Sequence, residues 1–450
     1  MKKYSKQTRR LWSLSYPTMI AFALQSVYDI VDMAWVGRIS KEATAAVTIY
    51  SVAFWIFTVF NEVIGSSSVS MLSQAYGRED HEKLGRIAEQ TLGFKTLVGM
   101  ISALLLYIFL EPMMRIFSKD PEVIKLALDY GYIRTFFLPI LFMSYSVNTI
   151  FRTTEDSKTP MYIMVLSTLI NIVLDPILMF ETIPGTSLKG FNMGVYGAAV
   201  ATVISISVSF IFAIFLLIRK EKTFKLSLRG IFSLDWSIDK DLLIIGLPSG
   251  VEVLFRYLSG AILLKFVTVY GTSAVSAAGI GMKVFGLAFM PVYGFMMGGS
   301  ALVGKYLGQD DLEEAEAIGR VASYLNLLIM SLVVGLSFIY AQEIMKVFID
   351  DRQVIEVGVD MIRYASPALI IGGFIFGRAV LFTGSGYNRP ILVASIVARW
   401  LVQIPLLYLF VLVLDKNINY VWLTYLIAEV FDFIILYYYY LKGEWKYKRV

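Results

Sequence analysis

Twelve long apolar stretches, separated by short polar breaks, run along the 450 residues of the chain. A helix needs about 20 apolar residues to cross a hydrocarbon core of about 30 Å. The pattern therefore predicts an all-α membrane protein with twelve transmembrane helices. We place them at 11–36, 45–75, 91–110, 126–151, 160–180, 194–218, 242–270, 275–303, 318–341, 357–382, 390–413 and 420–441.

The distribution of Lys and Arg predicts how these helices are oriented. The two termini and the loops on their side of the membrane carry 23 of the 40 basic residues, whereas the opposite loops carry nine. Basic residues are enriched in cytoplasmic loops, so both termini are expected in the cytoplasm of a multi-pass protein of the cell (inner) membrane. The net charge of +5 follows from this topology and gives no reason to expect a nucleic-acid partner.

The composition narrows the classes of function. With 57% hydrophobic and 17% charged residues, the chain is too apolar for a soluble domain, and the lipid bilayer is its expected partner. The absence of cysteine excludes disulfides, thiolate metal sites and cysteine nucleophiles. Walker A and HExxH motifs are also absent, so we expect neither an enzyme nor a bound cofactor.

The two halves of the sequence follow one plan. With a shift near 230 residues, several landmarks of the first half fall on equivalents in the second: Pro17 on Pro248, Tyr76-Gly77 on Leu307-Gly308, Arg134 on Arg363, Pro160 on Pro390 and Pro176 on Pro405. Six helices per half give both halves the same orientation, as in transporters that work by alternating access. We expect lobes at 1–218 and 242–441, a cytoplasmic linker at 219–241 and a cytoplasmic tail at 442–450.

Ionisable residues within the predicted helices are functional candidates, because a charge in the membrane is costly. Asp29 and Asp32 lie three residues apart in the first helix, and Asn171 and Asp175 lie four apart in the fifth. Pro176 cannot donate to the carbonyl of Ile172, so it is expected to bend the helix and leave that oxygen available. These oxygens would suit Na+, or protons held on the carboxyl groups. The alternative is that the aspartates only hydrogen-bond neighbouring helices.

Further candidates for a substrate cavity lie in both halves. Glu62 adjoins Asn61. Glu252 lies one helical turn before Arg256, so these two residues form either an internal ion pair or a contact with substrate. Methionine and aromatic side chains would line an adaptable cavity or simply pack: Met33, Met282, Met290 and Tyr293. The other span charges that we assign to the second half are basic, so cation coupling is expected in the first half: Lys265, Lys283, Arg363, Arg378 and Arg399.

Several motifs together resemble the multidrug and toxic compound extrusion (MATE) family. They are YDIVDMAWVG in the first helix, the loop SQAYGRED, NIVLDPIL in the fifth helix and MGVYGAAVATVIS at the start of the sixth. The resemblance covers nearly the whole chain. It implies two pseudo-symmetric six-helix lobes that form a V-shaped cleft, and export of small organic compounds, often cations, by antiport with Na+ or H+.

The resemblance also assigns roles to individual residues. It implies that Asp32 is the coupling aspartate, with Asn171, Asp175 and Thr202 as partners, and that Pro17 is a helix-bending proline. Glu252 matches an acidic position that some members use in the second lobe. Those members have an aspartate in the tenth helix, whereas this chain has Gly377 and Arg378, so it resembles the branch that couples through the N-lobe.

Two alternative functions and the identity of the coupling ion stay open at this point. A lipid-linked oligosaccharide or lipid flippase of the same superfamily is an alternative, favoured by the basic second half. A membrane-embedded lipid or prenyl transferase is an alternative from another class. A monomer is expected, and the sequence does not decide between Na+ and H+.

Overall fold

A computed structural model describes residues 2–219 and 224–450 of the chain, which are almost entirely helical. The helices of the first half are α1 (Lys2–Gly37), α2 (Lys41–Gly77), α3 (His81–Phe117), α4 (Pro121–Phe136), α5 (Leu138–Thr153), α6 (Lys158–Met179) and α7 (Gly194–Ile218). A short helix, α8 (Leu228–Phe232), precedes the second half. There the helices are α9 (Trp236–Val267), α10 (Thr272–Ala288), α11 (Met290–Gly308), α12 (Leu312–Ile339), α13 (Ala341–Phe348), α14 (Arg352–Ser385), α15 (Arg389–Ser395), α16 (Ile404–Leu407) and α17 (Ile418–Lys442).

The predicted transmembrane helices are confirmed. Ten helical stretches of the described chain are long and apolar enough to cross a membrane, and two bent pairs raise the number to as many as twelve. The pairs α4–α5 and α10–α11 bend by 51° and 41°. Pro139 and Pro291 follow the two breaks, and each ring removes a backbone donor and crowds the preceding turn. Each pair therefore corresponds to one predicted span.

The duplication is visible at the polar breaks between helices. Asp80 caps α3 by accepting a hydrogen bond from the backbone N–H of Lys83, and Asp311 caps α12 in the same way through Glu314. The residue before each cap, Glu79 or Asp310, has a positive φ of 59° or 57°. The same turn geometry thus recurs at the predicted shift.

The helices form two compact units, each with its own core. One unit is Ile20–Gly246, and the other is Leu247–Val450 together with the part of α1 up to Met19. The divisions lie inside α1 and α9, close to Pro17 and Pro248. Our assignment of membrane lobes to 1–218 and 242–441 stays a prediction. Large buried side chains mark the two cores: Tyr50, Leu106, Tyr130 and Phe142 in the first, Phe295, Leu302, Val380 and Phe382 in the second.

Within the predicted linker 219–241, residues 220–223 lie outside the described chain, and the segment around α8 packs on α3. The backbone N–H of Ser227 donates to Glu89 at 2.6 Å, and the amide of Gln90 bonds to Ser233 and Asp235 at 2.8 and 2.9 Å. Arg86 forms an ion pair with Asp235. The hydroxyl of Ser237 and this guanidinium hold the pKa of Asp235 below its ordinary value.

Candidate functional site

Four of the predicted cation-site residues lie buried in the unit Ile20–Gly246. Helix α1 contributes Asp32, α6 contributes Asn171 and Asp175, and α7 contributes Thr202. All four are at most 7% exposed. Asn171 and Asp175 are one turn apart on α6, and the Asn171 amide donates to Asp175 Oδ1 at 3.0 Å. Asp32 lies within electrostatic range of Asp175, so the structure brings the two carboxyl groups together.

Three side-chain oxygens of this group accept no hydrogen bond from the described residues. They are Asp32 Oδ1, Asn171 Oδ1 and Asp175 Oδ2, and all three are buried. A buried oxygen without a partner is costly unless it holds a proton or a bound ion. Two carboxylates, an amide oxygen and a nearby hydroxyl are the kind of ligands that hard cations such as Na+ accept. This donor set fits either predicted ion.

Tyr28 and Arg134 adjoin the same group, and the sequence reasoning missed both as site residues. Tyr28 is buried one turn before Asp32 and lies beside Thr202. Arg134 of α4 lies within electrostatic range of Asp32. Its guanidinium stacks over aromatic rings at 5.2 to 5.8 Å from their centroids: those of Tyr50, Phe54 and Tyr130. The sequence identifies Arg134 only as the equivalent of Arg363 in the repeat, because contacts between distant helices leave no periodic pattern of residues.

Asp29 is not buried with these residues, although it lies within electrostatic range of Asp32. Its side chain is exposed, and its Oδ1 accepts a hydrogen bond from Gln25 at 3.0 Å. Glu62 is also exposed, and it accepts a hydrogen bond from Asn61 at 3.2 Å. Met33 packs against the core of this unit. Pro17 and Pro176 both lie inside continuous helices, so their helix-bending role stays a prediction.

In the other unit, Glu252 and Arg256 form the internal ion pair that their spacing allowed, with Oε1 and Nε 3.5 Å apart. We predicted that, apart from Glu252, the charged residues within the spans of the second half are basic. This prediction is wrong. Helix α17 carries Glu429 and Asp432, one turn apart, and Glu429 pairs with Arg399 at 3.1 Å. Both acids lie within the predicted span 420–441, so the second half is not uniformly basic within its spans.

The remaining candidates lie on α10 and α11. Met282 is 38% exposed, whereas Met290 and Tyr293 are partly buried. The Tyr293 ring packs against Phe289 and Phe376, with ring centroids 6.1 and 5.9 Å away. An aromatic cluster, not a row of methionines, is therefore the marked feature of this region.

Comparison with known proteins agrees with the duplicated plan. One family model, MatE, matches the chain twice, at residues 17–177 and 248–409. The probable multidrug resistance protein YoeA of Bacillus subtilis is 28% identical over 96% of this chain and 93% of its own length. The probable multidrug resistance protein NorM of Thermotoga maritima is 25% identical over 98% and 94%.

Solved structures share the fold. A MOP superfamily transporter from Pyrococcus furiosus superposes with a TM-score of 0.90 at 23% identity, over 98% of this chain and 97% of its own. A mutant form of the Vibrio cholerae MATE transporter VcmN gives 0.90 at 18% identity over 98% of both chains. Since the two family-model matches cover well over half of the sequence, the chain belongs to the MatE family, whose members are transporters and not enzymes.

Proposed function

We propose that this protein exports small organic compounds, organic cations among them, in exchange for Na+ or H+. The observation that carries the proposal is the buried group of Asp32, Asn171 and Asp175, with three oxygens that lack a partner. Thr202 supplies a fourth oxygen. A cation from outside occupies this group in one conformation and is released to the cytoplasm in another. The names of the multidrug resistance relatives support an organic substrate.

The energy of a single cation is sufficient for export. One elementary charge that crosses about 100 mV yields about 2.3 kcal/mol. A tenfold ion gradient adds about 1.4 kcal/mol, so the two together support a substrate ratio of several hundred-fold. No phosphate-binding loop is needed to supply this energy.

Both alternatives from the sequence lose support. A transferase does not fit, because members of the family are transporters. A lipid flippase was favoured by a basic second half, and Glu429 and Asp432 weaken that argument. We place the protein in the cell (inner) membrane as a monomer with cytoplasmic termini.

Gradient-driven efflux from proteoliposomes tests the proposal, with inward Na+ and H+ gradients imposed separately. We expect Asp32→Asn to abolish efflux under the gradient that drives the wild type, because an amide cannot neutralise a cation. Glu111→Gln is the matched control, since Glu111 is exposed and pairs with Arg115 of its own helix. Full efflux by Asp32→Asn, or no efflux by the wild type under either gradient, would refute the proposal.

A further inference from the structure

A second, partly buried charge cluster lies in the unit that contains α17. Its members are Glu252 and Arg256 of α9, Arg399, and Glu429 and Asp432 of α17. Glu429 and Asp432 each lie within electrostatic range of the other members. Two ion pairs hold the cluster together, Arg399–Glu429 at 3.1 Å and Arg256–Glu252 at 3.5 Å. These paired side chains are between 14% and 33% exposed.

The charges of this cluster do not balance. Three carboxyl groups face two guanidiniums, so the cluster carries one surplus negative charge when all five groups are ionised. Asp432 Oδ1 is buried and accepts no hydrogen bond from the described residues. An unbalanced charge within a membrane protein is costly, and a proton or a positively charged ligand would offset that cost.

Arg399 lies on an irregular stretch of backbone that packs against α17. Residues Ile396–Gln403 form a π-helix, a rare geometry that often occurs at functional sites. The indole of Trp400 donates to the carbonyl of Phe255 at 3.2 Å, which ties this π-helix to α9. Arg399 donates a hydrogen bond to Oε1 of Glu429.

One aromatic ring approaches the second carboxylate oxygen of Glu429, Oε2, beside Gly372. A Cβ added at Gly372 would lie 3.4 Å from Glu429 Oε2 and 3.2 Å from Phe289 Cζ. The carboxylate and the ring therefore both approach the same position beside Gly372. Phe289, Tyr293 and Phe376 form a cluster with centroids 5.6 to 6.1 Å apart. Phe289 lies at the bend between α10 and α11, and all three rings are partly buried.

We propose that Glu429 and the rings of Phe289, Tyr293 and Phe376 form a binding site for an organic cation. The carboxylate supplies the opposite charge, and the ring faces attract a dispersed positive charge more than a strongly hydrated ion. A lipophilic cation thus replaces the proton that otherwise balances the cluster. This inference rests on the proposed export function and names the substrate side of it.

Equilibrium binding of radiolabelled tetraphenylphosphonium to the purified full-length chain in detergent tests this site. We expect Glu429→Gln and Phe376→Leu each to weaken binding at least tenfold. Glu356→Gln is the matched charge control, because Glu356 is exposed and pairs with Arg352. Phe374→Leu is the matched aromatic control, because its ring packs against Phe433 outside the cluster. Both controls should bind as the wild type does.

Further variants keep the test decisive if Glu429→Gln does not fold without a counter-charge for Arg399. Phe376→Leu retains every charge, and Gly372→Ala places a methyl group between Phe289 and Glu429. Wild-type affinity in Phe376→Leu and Gly372→Ala, or no binding by the wild type, would overturn the inference.

A parallel efflux measurement separates this inference from the proposed function. If wild-type proteoliposomes export no compound under either ion gradient, the export function itself fails. If they export tetraphenylphosphonium while Glu429→Gln and Phe376→Leu bind and export it equally well, only the site assignment fails.

Discussion

At the scale of single residues, the cation site depends on which oxygens lack a partner. Asp32, Asn171 and Asp175 each present one such buried atom, and Thr202 lies beside Tyr28 next to them. Sodium and proton coupling use these atoms differently. Sodium binding requires several oxygen ligands at once, whereas a proton requires only a carboxyl group.

Thr202→Val therefore distinguishes the two ions. Valine keeps the shape of threonine and removes one oxygen. If Na+ is the coupling ion, we expect the apparent Na+ affinity of efflux to fall about tenfold or more, which corresponds to about 1.4 kcal/mol. If H+ is the coupling ion, proton-driven efflux should change by less than about twofold, because no proton carrier is lost.

Thr58→Val controls for the loss of a buried hydroxyl, since Thr58 donates to the carbonyl of Trp55 on its own helix. Sodium-driven efflux with an unaltered Na+ affinity in Thr202→Val would remove Thr202 from the ligand set.

At the scale of helices, close backbone contacts leave little room for a side chain in part of α14. The family resemblance implies an aspartate in the tenth helix of members that couple through the second lobe, whereas this stretch of the chain contains Gly377 and Arg378. A Cβ at Gly377 would lie 2.3 Å from the Cα of Ser323 on α12, far inside van der Waals contact. Helices α12 and α14 thus approach too closely for any side chain here, and an acidic ligand at this position is excluded.

Gly377→Ala should destabilise the protein, because the added methyl group forces α12 and α14 apart. Overpacking of this kind costs about 1–3 kcal/mol, so we expect a lower Tm in detergent. Gly335→Ala on α12 is the control, since its Cβ would meet no atom within 4 Å. An equal Tm for Gly377→Ala and Gly335→Ala would contradict the close packing.

The sequence predicted helices well and contacts between them poorly. Apolar length alone located every span, because the membrane fixes that length. The exposure of Asp29 depends on the rotation of α1 about its axis, and the stacking of Arg134 on Tyr50 depends on how α2 and α4 pack. Neither property can be predicted from the spacing of residues along the sequence. The acids Glu429 and Asp432 were readable but were overlooked.

At the scale of the whole molecule, the duplicated sequence carries two sites of different character. One unit holds the oxygen-rich group of Asp32 and Asp175, and the other holds the arginine-balanced acids beside aromatic rings. In our account, the first binds the coupling ion and the second binds an organic cation. The direction of export depends on how the protein is oriented in the membrane, which the basic loops predict.

Cysteine labelling tests this orientation directly, because the native chain contains no cysteine. We expect Lys119→Cys, between α3 and α4, to react with a membrane-impermeant maleimide in intact cells. Glu82→Cys, at the start of α3, should react only after permeabilisation. Both side chains are in exposed positions. The reverse pattern would contradict cytoplasmic termini.

Reverse coupling in proteoliposomes is the most direct test of the central claim, that substrate and cation exchange through the Asp32–Asp175 group. With no ion gradient or membrane potential imposed, a gradient of tetraphenylphosphonium should drive Na+ or H+ in the opposite direction, as detected by radioactive sodium or by a pH-sensitive dye. All fluxes are taken above those of protein-free liposomes, because this lipophilic cation also crosses the bilayer passively. Asp175→Asn should abolish that ion flux. Substrate movement without any ion flux in the wild type, or an undiminished ion flux in Asp175→Asn, would contradict the account.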